Sequence, residues 1–233
     1  MDVSQLKKRA ADTAANLIEN GMIVGLGHGS TALFAVQRIA ERIRSGELKD
    51  IVGIPCSEEI GQAARSLGIP LTTLEDHPEV DLTVDGADEV DPRLNLIKGG
   101  GGALLREKIV AQATRREIIV VDESKLSPTL GTKWAVPVEV VPFGWGTQRR
   151  FLESLGATVT LRQTKDGTAF QTDQGNLILD ANFGPITDPD ELGAELDCRT
   201  GIVAHGLFLG LAERVIVAGA HGDSVLTLEE QKA

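Results

Sequence analysis

Lys98 stands directly before four glycines, Gly99 to Gly102. The acids Asp85, Asp88 and Glu89 precede it, and Glu107 follows shortly after in Arg106-Glu107-Lys108. Consecutive glycines weaken a helix or a strand, so such a run serves where backbone must come close to something else. Carboxyl groups move protons, and an ammonium steadies an oxygen that is gaining negative charge. The N–H groups of Gly99, Gly100 and Gly101 can assist that ammonium. Each member also has a plainer reading. Asp85-Gly86-Ala87-Asp88-Glu89-Val90-Asp91 fits a solvated acidic loop, Lys98 a surface lysine, and Glu107 a solvent-facing helical acid. Chemistry is favoured by the set, because all of these residues fall at strand ends.

A second segment, Gly25-Leu26-Gly27-His28-Gly29-Ser30-Thr31, ends a short apolar strand and opens a helix. Helix N-termini carry unpaired N–H groups and partial positive charge, so phosphate settles there readily. Ser30 and Thr31 add hydroxyls; a tight turn with Ser30 as the helix cap fits the same residues. A dinucleotide loop is excluded, since Ser30 occupies the third glycine position and the next strand ends in Pro55-Cys56 rather than an acid. The Gly-Lys-Ser/Thr of a nucleotide-phosphate loop is missing as well. The acidic run lacks the alternating spacing of a calcium loop, and a magnesium site, though open, has no phosphate loop beside it. Lys125, in Asp122-Glu123-Ser124-Lys125, follows an apolar strand onto the same rim, where an exposed charge is the plainer reading. His205, in His205-Gly206-Leu207-Phe208, reads as a structural hydrogen-bonder.

The elements that must position these groups alternate. Apolar spacing predicts a helix over 2–20 stopped by Asn20-Gly21, a strand over 22–26, and a helix from Ser30 to about Arg44 with Leu33, Phe34, Val36, Ala40 and Ile43 inward. A strand over 51–54, a helix capped by Ser57 and ending near Gly68, and a strand over 81–85 follow. A helix around 102–114 and a strand over 117–121 complete this half. Short apolar strands between helices imply a mainly parallel, Rossmann-like α/β sheet covered on both faces, with ligands beyond its carboxyl ends. After Lys133 the pattern changes to strand 136–141, helix 147–155 opened by Thr147, strands 157–161 and 168–171 joined by Lys165-Asp166-Gly167, and strand 176–180. A helix near 188–196 and a strand near 202–207 complete a smaller ferredoxin-like α+β domain. Arg214 to Gly219 forms a buried strand that rejoins the first sheet. The expected division is 1–131 with 208–233, and 132–207.

With 233 residues, 42% apolar and 24% charged, the chain has ample material for a core. A net charge of −11 argues against nucleic acid or an anionic membrane as partner, so an anionic ligand needs a local positive pocket. Cys56 and Cys198 are isolated, without metal spacing, and fit a reducing cytoplasm. The polar N-terminus is unlike a signal peptide, and no apolar run is long enough for a membrane helix.

Taken in order, these motifs resemble ribose-5-phosphate isomerase of the A type over nearly the whole chain. The resemblance implies interconversion of D-ribose 5-phosphate and D-ribulose 5-phosphate through an enediolate, in the pentose phosphate pathway, with no metal or organic cofactor and in a homodimer or homotetramer. It implies Glu107 as the base shuttling a proton between C1 and C2, Asp85 assisting ring opening or proton movement between O1 and O2, and Lys98 with Gly99 to Gly101 stabilising the enediolate oxygen. Asp88 would bind sugar hydroxyls. Ser30, Thr31, Lys125 and Lys7 would hold the substrate and its phosphate, with His28, Gly29, Gly86 and Ala87 completing the binding loops. His28 replaces the family's usual threonine, and Cys198-Arg199-Thr200-Gly201-Ile202 departs from a more apolar Pro-Gly-Val version. A sugar-phosphate sensor would need an attached DNA-binding domain and has little use for Glu107 with Lys98. An aminosugar phosphate deaminase would want a histidine at the reacting centre, where neither His28 nor His205 is clearly placed.

Overall fold

A computed structural model describes residues 3–219 and 222–227. The first half runs α1 (Val3–Ala15), β1 (Ile23–Leu26), α2 (Ser30–Ser45), β2 (Val52–Pro55), α3 (Glu58–Ser66), β3 (Leu82–Asp85). Two very short strands, β4 (Glu89–Val90) and β5 (Leu96–Ile97), lead into α4 (Leu104–Ala113) and β6 (Glu117–Asp122). Strands β1, β2, β3 and β6 are parallel neighbours, as their short buried runs require. The sheet's carboxyl edge therefore carries both Gly27-His28-Gly29 and Asp85 to Asp88. Gly25 and Gly27 let β1 approach β3: an added Cβ would run into the side chain of Thr83 or into Asp85.

Two helix expectations of this half need correction. α1 stops at Ala15 rather than near residue 20, because Leu17 and Ile18 bond to the carbonyls three residues back and tighten the last turn before Gly21 reverses the chain at φ +79°. On α2 the buried centre is Ala32, Ala35, Val36, Ile39 and Ala40, whereas Leu33, Phe34 and Ile43 are half-buried at its edges. The reason is a small-residue seam. Ala10, Ala11, Ala14 and Ala15 of α1 share this core, so the alanines of α2 take the middle of the contact. Ser57 caps α3 as expected, accepting from the Ile60 N–H at 3.1 Å.

The second unit runs β7 (Val136–Val140), α5 (Trp145–Ser154), β8 (Thr158–Leu161), β9 (Leu177–Asn182), α6 (Pro189–Asp197), β10 (Ile202–His205). Its antiparallel order, β10-β7-β9-β8, is that of a ferredoxin-like sheet. Helix α5 opens at Trp145 after left-handed Gly144 rather than at Thr147, whose hydroxyl donates to the Gly144 carbonyl. Residues 168–171 make only isolated bridges to Gln163 and Leu177. Asp166 ties the Thr164 and Thr168 hydroxyls into a local turn, which leaves a long, loosely paired hairpin instead of a strand.

The strand expected over 202–207 splits at Gly206. Beyond it β11 (Leu207–Phe208) joins β5 and β4 in a small third sheet. Strand β12 (Ala212–Gly219) then returns parallel to β6, and β13 (Gly222–Thr227) adds an edge strand that composition did not single out. Gly206 is a junction: its N–H donates to the Pro137 carbonyl and its carbonyl accepts from the Lys98 N–H. The start of the glycine run is thus pinned where the antiparallel four-stranded sheet meets the small third sheet. No helix among the described residues is long and apolar enough to cross a membrane.

Candidate active site

Asp85 ends β3 with 1% of its side chain exposed, and both of its oxygens are engaged. Oδ1 accepts from the N–H groups of His28 (3.0 Å) and Gly86 (2.7 Å), and Oδ2 lies 3.0 Å from the Lys98 ammonium. Lys98, just past β5, also donates to the Gly86 carbonyl at 2.6 Å and to Oε1 of Glu107 at 3.1 Å. Glu107 sits in the first turn of α4, buried rather than solvent-facing, and its Oε2 has no partner among the described residues. One ammonium therefore faces two carboxyl groups in a dry setting.

That arrangement sets the protonation. Burial raises the Glu107 pKa to about 7, with Lys98 pulling against it and Asp85 adding to the rise. Burial alone would lower the Lys98 pKa, but Asp85 and Glu107 outweigh it and hold the ammonium charged. A second hidden acid, Glu117 at the start of β6, is raised to about 8 by burial and by Asp85.

Above this triad opens a cleft enclosing about 460 Å³ of empty space counted out to its mouth. It is lined by Lys7, His28 to Thr31, Gly86 to Asp88, Lys98 to Gly101, Glu107 and Lys125. Every residue to which the resemblance gives a role lines this cleft except Asp85, which is buried against two of its lining residues, Lys98 and Gly86. Glu89, Gly102 and His205 are not among its lining residues. Ser30 is the first residue of α2 and not its cap; Gly29 caps at φ +98°, and the Ser30 hydroxyl accepts from Lys7 at 3.1 Å. Lys125 stacks over the Trp134 ring at 5.0 Å. His28 shares a 2.9 Å hydrogen bond between Nδ1 and the Ser57 hydroxyl. His205 is buried against Asp197 and Lys108, away from this cleft.

The glycine run closes a turn, the Gly102 N–H donating to the Gly99 carbonyl at 3.0 Å. Gly99 and Gly102 take positive φ. The Gly100 N–H donates to Asp88 at 2.7 Å, and a Cβ at Gly101 would strike the His28 ring. Three contributors went unread in the sequence: Ser57 as the partner of His28, and Arg162 and Phe170, which reach the run from the second unit. Ser57 was legible as a cap, but nothing local ties 162 or 170 to residues 99–102.

Known proteins resemble this chain over most of its length. A protein-family model, Ribose 5-phosphate isomerase A (phosphoriboisomerase A), matches residues 52–222. Ribose-5-phosphate isomerase A of Desulfatibacillum aliphaticivorans is 61% identical over 93% of this chain and 94% of its own. That of Chloroflexus aurantiacus is 59% identical over 96% and 94%. Among solved structures, a D-ribose-5-phosphate isomerase in complex with phospho-erythronic acid superposes with a TM-score of 0.95 at 40% identity, covering 97% of this chain and 100% of that one. The ribose 5-phosphate isomerase A from Methanocaldococcus jannaschii gives 0.92 at 38% identity, with the same coverage.

Proposed function

The chain belongs to the ribose 5-phosphate isomerase A family and interconverts ribose 5-phosphate and ribulose 5-phosphate, and we propose that it does so through an enediolate with Glu107 as general base. The supporting observation is the buried Glu107–Lys98 pair, 3.1 Å apart in the cleft lining with a carboxyl oxygen left unpaired. Glu107 takes the proton from C2 of the open-chain aldose. The electron pair moves into a C1–C2 double bond, and O1 gains negative charge. Lys98 and the Gly99 and Gly101 amides meet that charge, the Gly100 N–H being held by Asp88; one such donor is worth about 3–4 kcal/mol. The O2 hydroxyl proton passes to O1, which leaves the charge on O2. As the C2–O2 carbonyl closes, the electron pair of the C1–C2 double bond takes the proton back from Glu107 at C1, giving the ketose. Asp85, with both oxygens occupied, acts in this reading by holding Lys98 and the His28 loop, not as a direct proton carrier.

The phosphate is assigned to the amino end of α2, with Ser30, Thr31, Lys7 and Lys125, where the local positive charge counters the net −11. Asp88 is assigned to sugar hydroxyls, and phospho-erythronic acid is expected to occupy the same cleft. Residues 132–207 form the second domain in this reading. A cytoplasmic setting and a homodimer or homotetramer belong to the same proposal, the fully exposed Phe143 offering an apolar contact point. The test is turnover of ribose 5-phosphate in the presence of a chelator by wild type and Glu107→Gln. Wild type should remain active, while the variant should lose at least about a hundredfold in kcat with KM within a few-fold. Near-normal turnover of the variant would remove Glu107 from the base role.

A further inference from the structure

The hairpin between β8 and β9 leans onto the glycine run from the second unit. Arg162, with 14% of its side chain exposed, donates from Nη1 to the carbonyls of both Gly99 (2.8 Å) and Gly100 (3.2 Å). Its Nε and Nη2 are held by the two oxygens of Asp180 on β9, a bidentate pairing that fixes the plane of the guanidinium. The two carbonyls belong to consecutive peptide units whose N–H groups are those of Gly100 and Gly101. The Gly100 N–H is held by Asp88. Among the described residues the Gly101 N–H has no acceptor, and Gly101 lines the cleft. Phe170, on the same hairpin, lies where a Cβ at Gly102 would be.

We propose that Arg162, braced by Asp180, is a positioning residue for the isomerisation: it fixes two successive peptide planes so that the Gly101 amide faces the oxygen on which charge develops. The inference rests on the enediolate reading of the cleft. Glycine has no side chain to limit rotation of these peptides, so a run of four left to itself samples many orientations. Donors catalyse only if they are already aimed before the charge appears. A planar fork holding both carbonyls from behind supplies that restraint, and lysine, a single flexible point charge, does not reproduce it. Hydrogen bonds to the carbonyls also polarise the amides, which strengthens their N–H groups as donors.

The experiment compares wild type, Arg162→Ala and Asp180→Asn by kcat and KM on ribose 5-phosphate, with hydrogen exchange of a peptide covering residues 98–104. Arg162→Ala should lose about 10- to 100-fold in kcat with KM changed less than about threefold. Exchange should accelerate at 98–104 and not elsewhere. Millimolar guanidinium chloride should restore part of the rate, and equal urea should not. Asp180→Asn should show the same split at smaller size, and it carries the test if Arg162→Ala does not fold. A kcat within twofold of wild type, or losses in step with faster exchange throughout the chain, overturns the assignment and leaves the isomerase reading intact. Inactive wild type would instead refute that reading; unchanged exchange at 98–104 in the variants would then overturn the clamp separately.

Discussion

At the scale of single residues, the decisive quantity is the charge state of two buried glutamates. In the proposed role of base Glu107 must be ionised to accept a proton, and its pKa is raised to about 7. The rate should therefore rise with pH through that value, with kcat/KM falling about tenfold per unit well below it. A limb near the ordinary carboxylate value would contradict the burial argument. Glu117 has no place in the proposed chemistry, which makes it a test of stability alone. Its folded pKa of about 8 lies above its ordinary value of 4.5, so the protonated form is the one the fold favours. That contribution is complete below about pH 4.5 and is lost as pH rises through 8. Replacing it with the uncharged isostere, Glu117→Gln, should flatten the decline of Tm between pH 5 and pH 8. At pH 8 the variant should melt higher than wild type, by roughly 2–4 °C for each kcal/mol of ionisation penalty removed. A wild-type Tm that climbs over this interval would refute the assignment.

At the scale of elements, the site depends on caps and close approaches. The Ser57 hydroxyl accepts the Ile60 N–H and also bonds the His28 ring, so one atom couples the start of α3 to a cleft wall. Ser57→Ala should cost about 1 kcal/mol as a lost cap and, unlike an ordinary cap change, raise KM by freeing the His28 ring. An unchanged KM would show that the ring is held by Gly101 and the loop alone. Ser57 also marks how far the sequence could be read. Its capping role follows from a polar residue before a helical pattern, and the parallel strands follow from short runs such as Ile118 to Val121. The cleft residues were legible because their motifs end those strands, where topology must gather them. Arg162 and Phe170 were not, since their partners lie about sixty residues away across two sheets, a pairing that no local period encodes. The α2 face was misjudged for a related reason: hydrophobicity points to Leu33 and Phe34, while close contact with α1 selects alanine.

At the scale of the whole molecule, the residues lining the cleft belong to the first unit, and the second unit braces its glycine run. The parallel sheet supplies Asp85, His28 and Ser30. The second unit holds the glycine run through Pro137, Gly206 and Arg162, and its hairpin is further tied by Asp173 to the Glu58 N–H and to Arg106. A ligand that bridges α2 and the glycine run contacts groups fixed from both sides, so its binding energy opposes separation of the units as well as unfolding of either. Phospho-erythronic acid at a hundred times its Kd should add about 2.7 kcal/mol to the folded state. For a chain of this length that corresponds to a rise in Tm of roughly 5–10 °C. Because the second unit braces the cleft's glycine run, calorimetry should show one transition that moves as a whole. Two transitions, only one of them displaced by the ligand, would mean that the bracing contacts from residues 162 to 173 are incidental to the cleft.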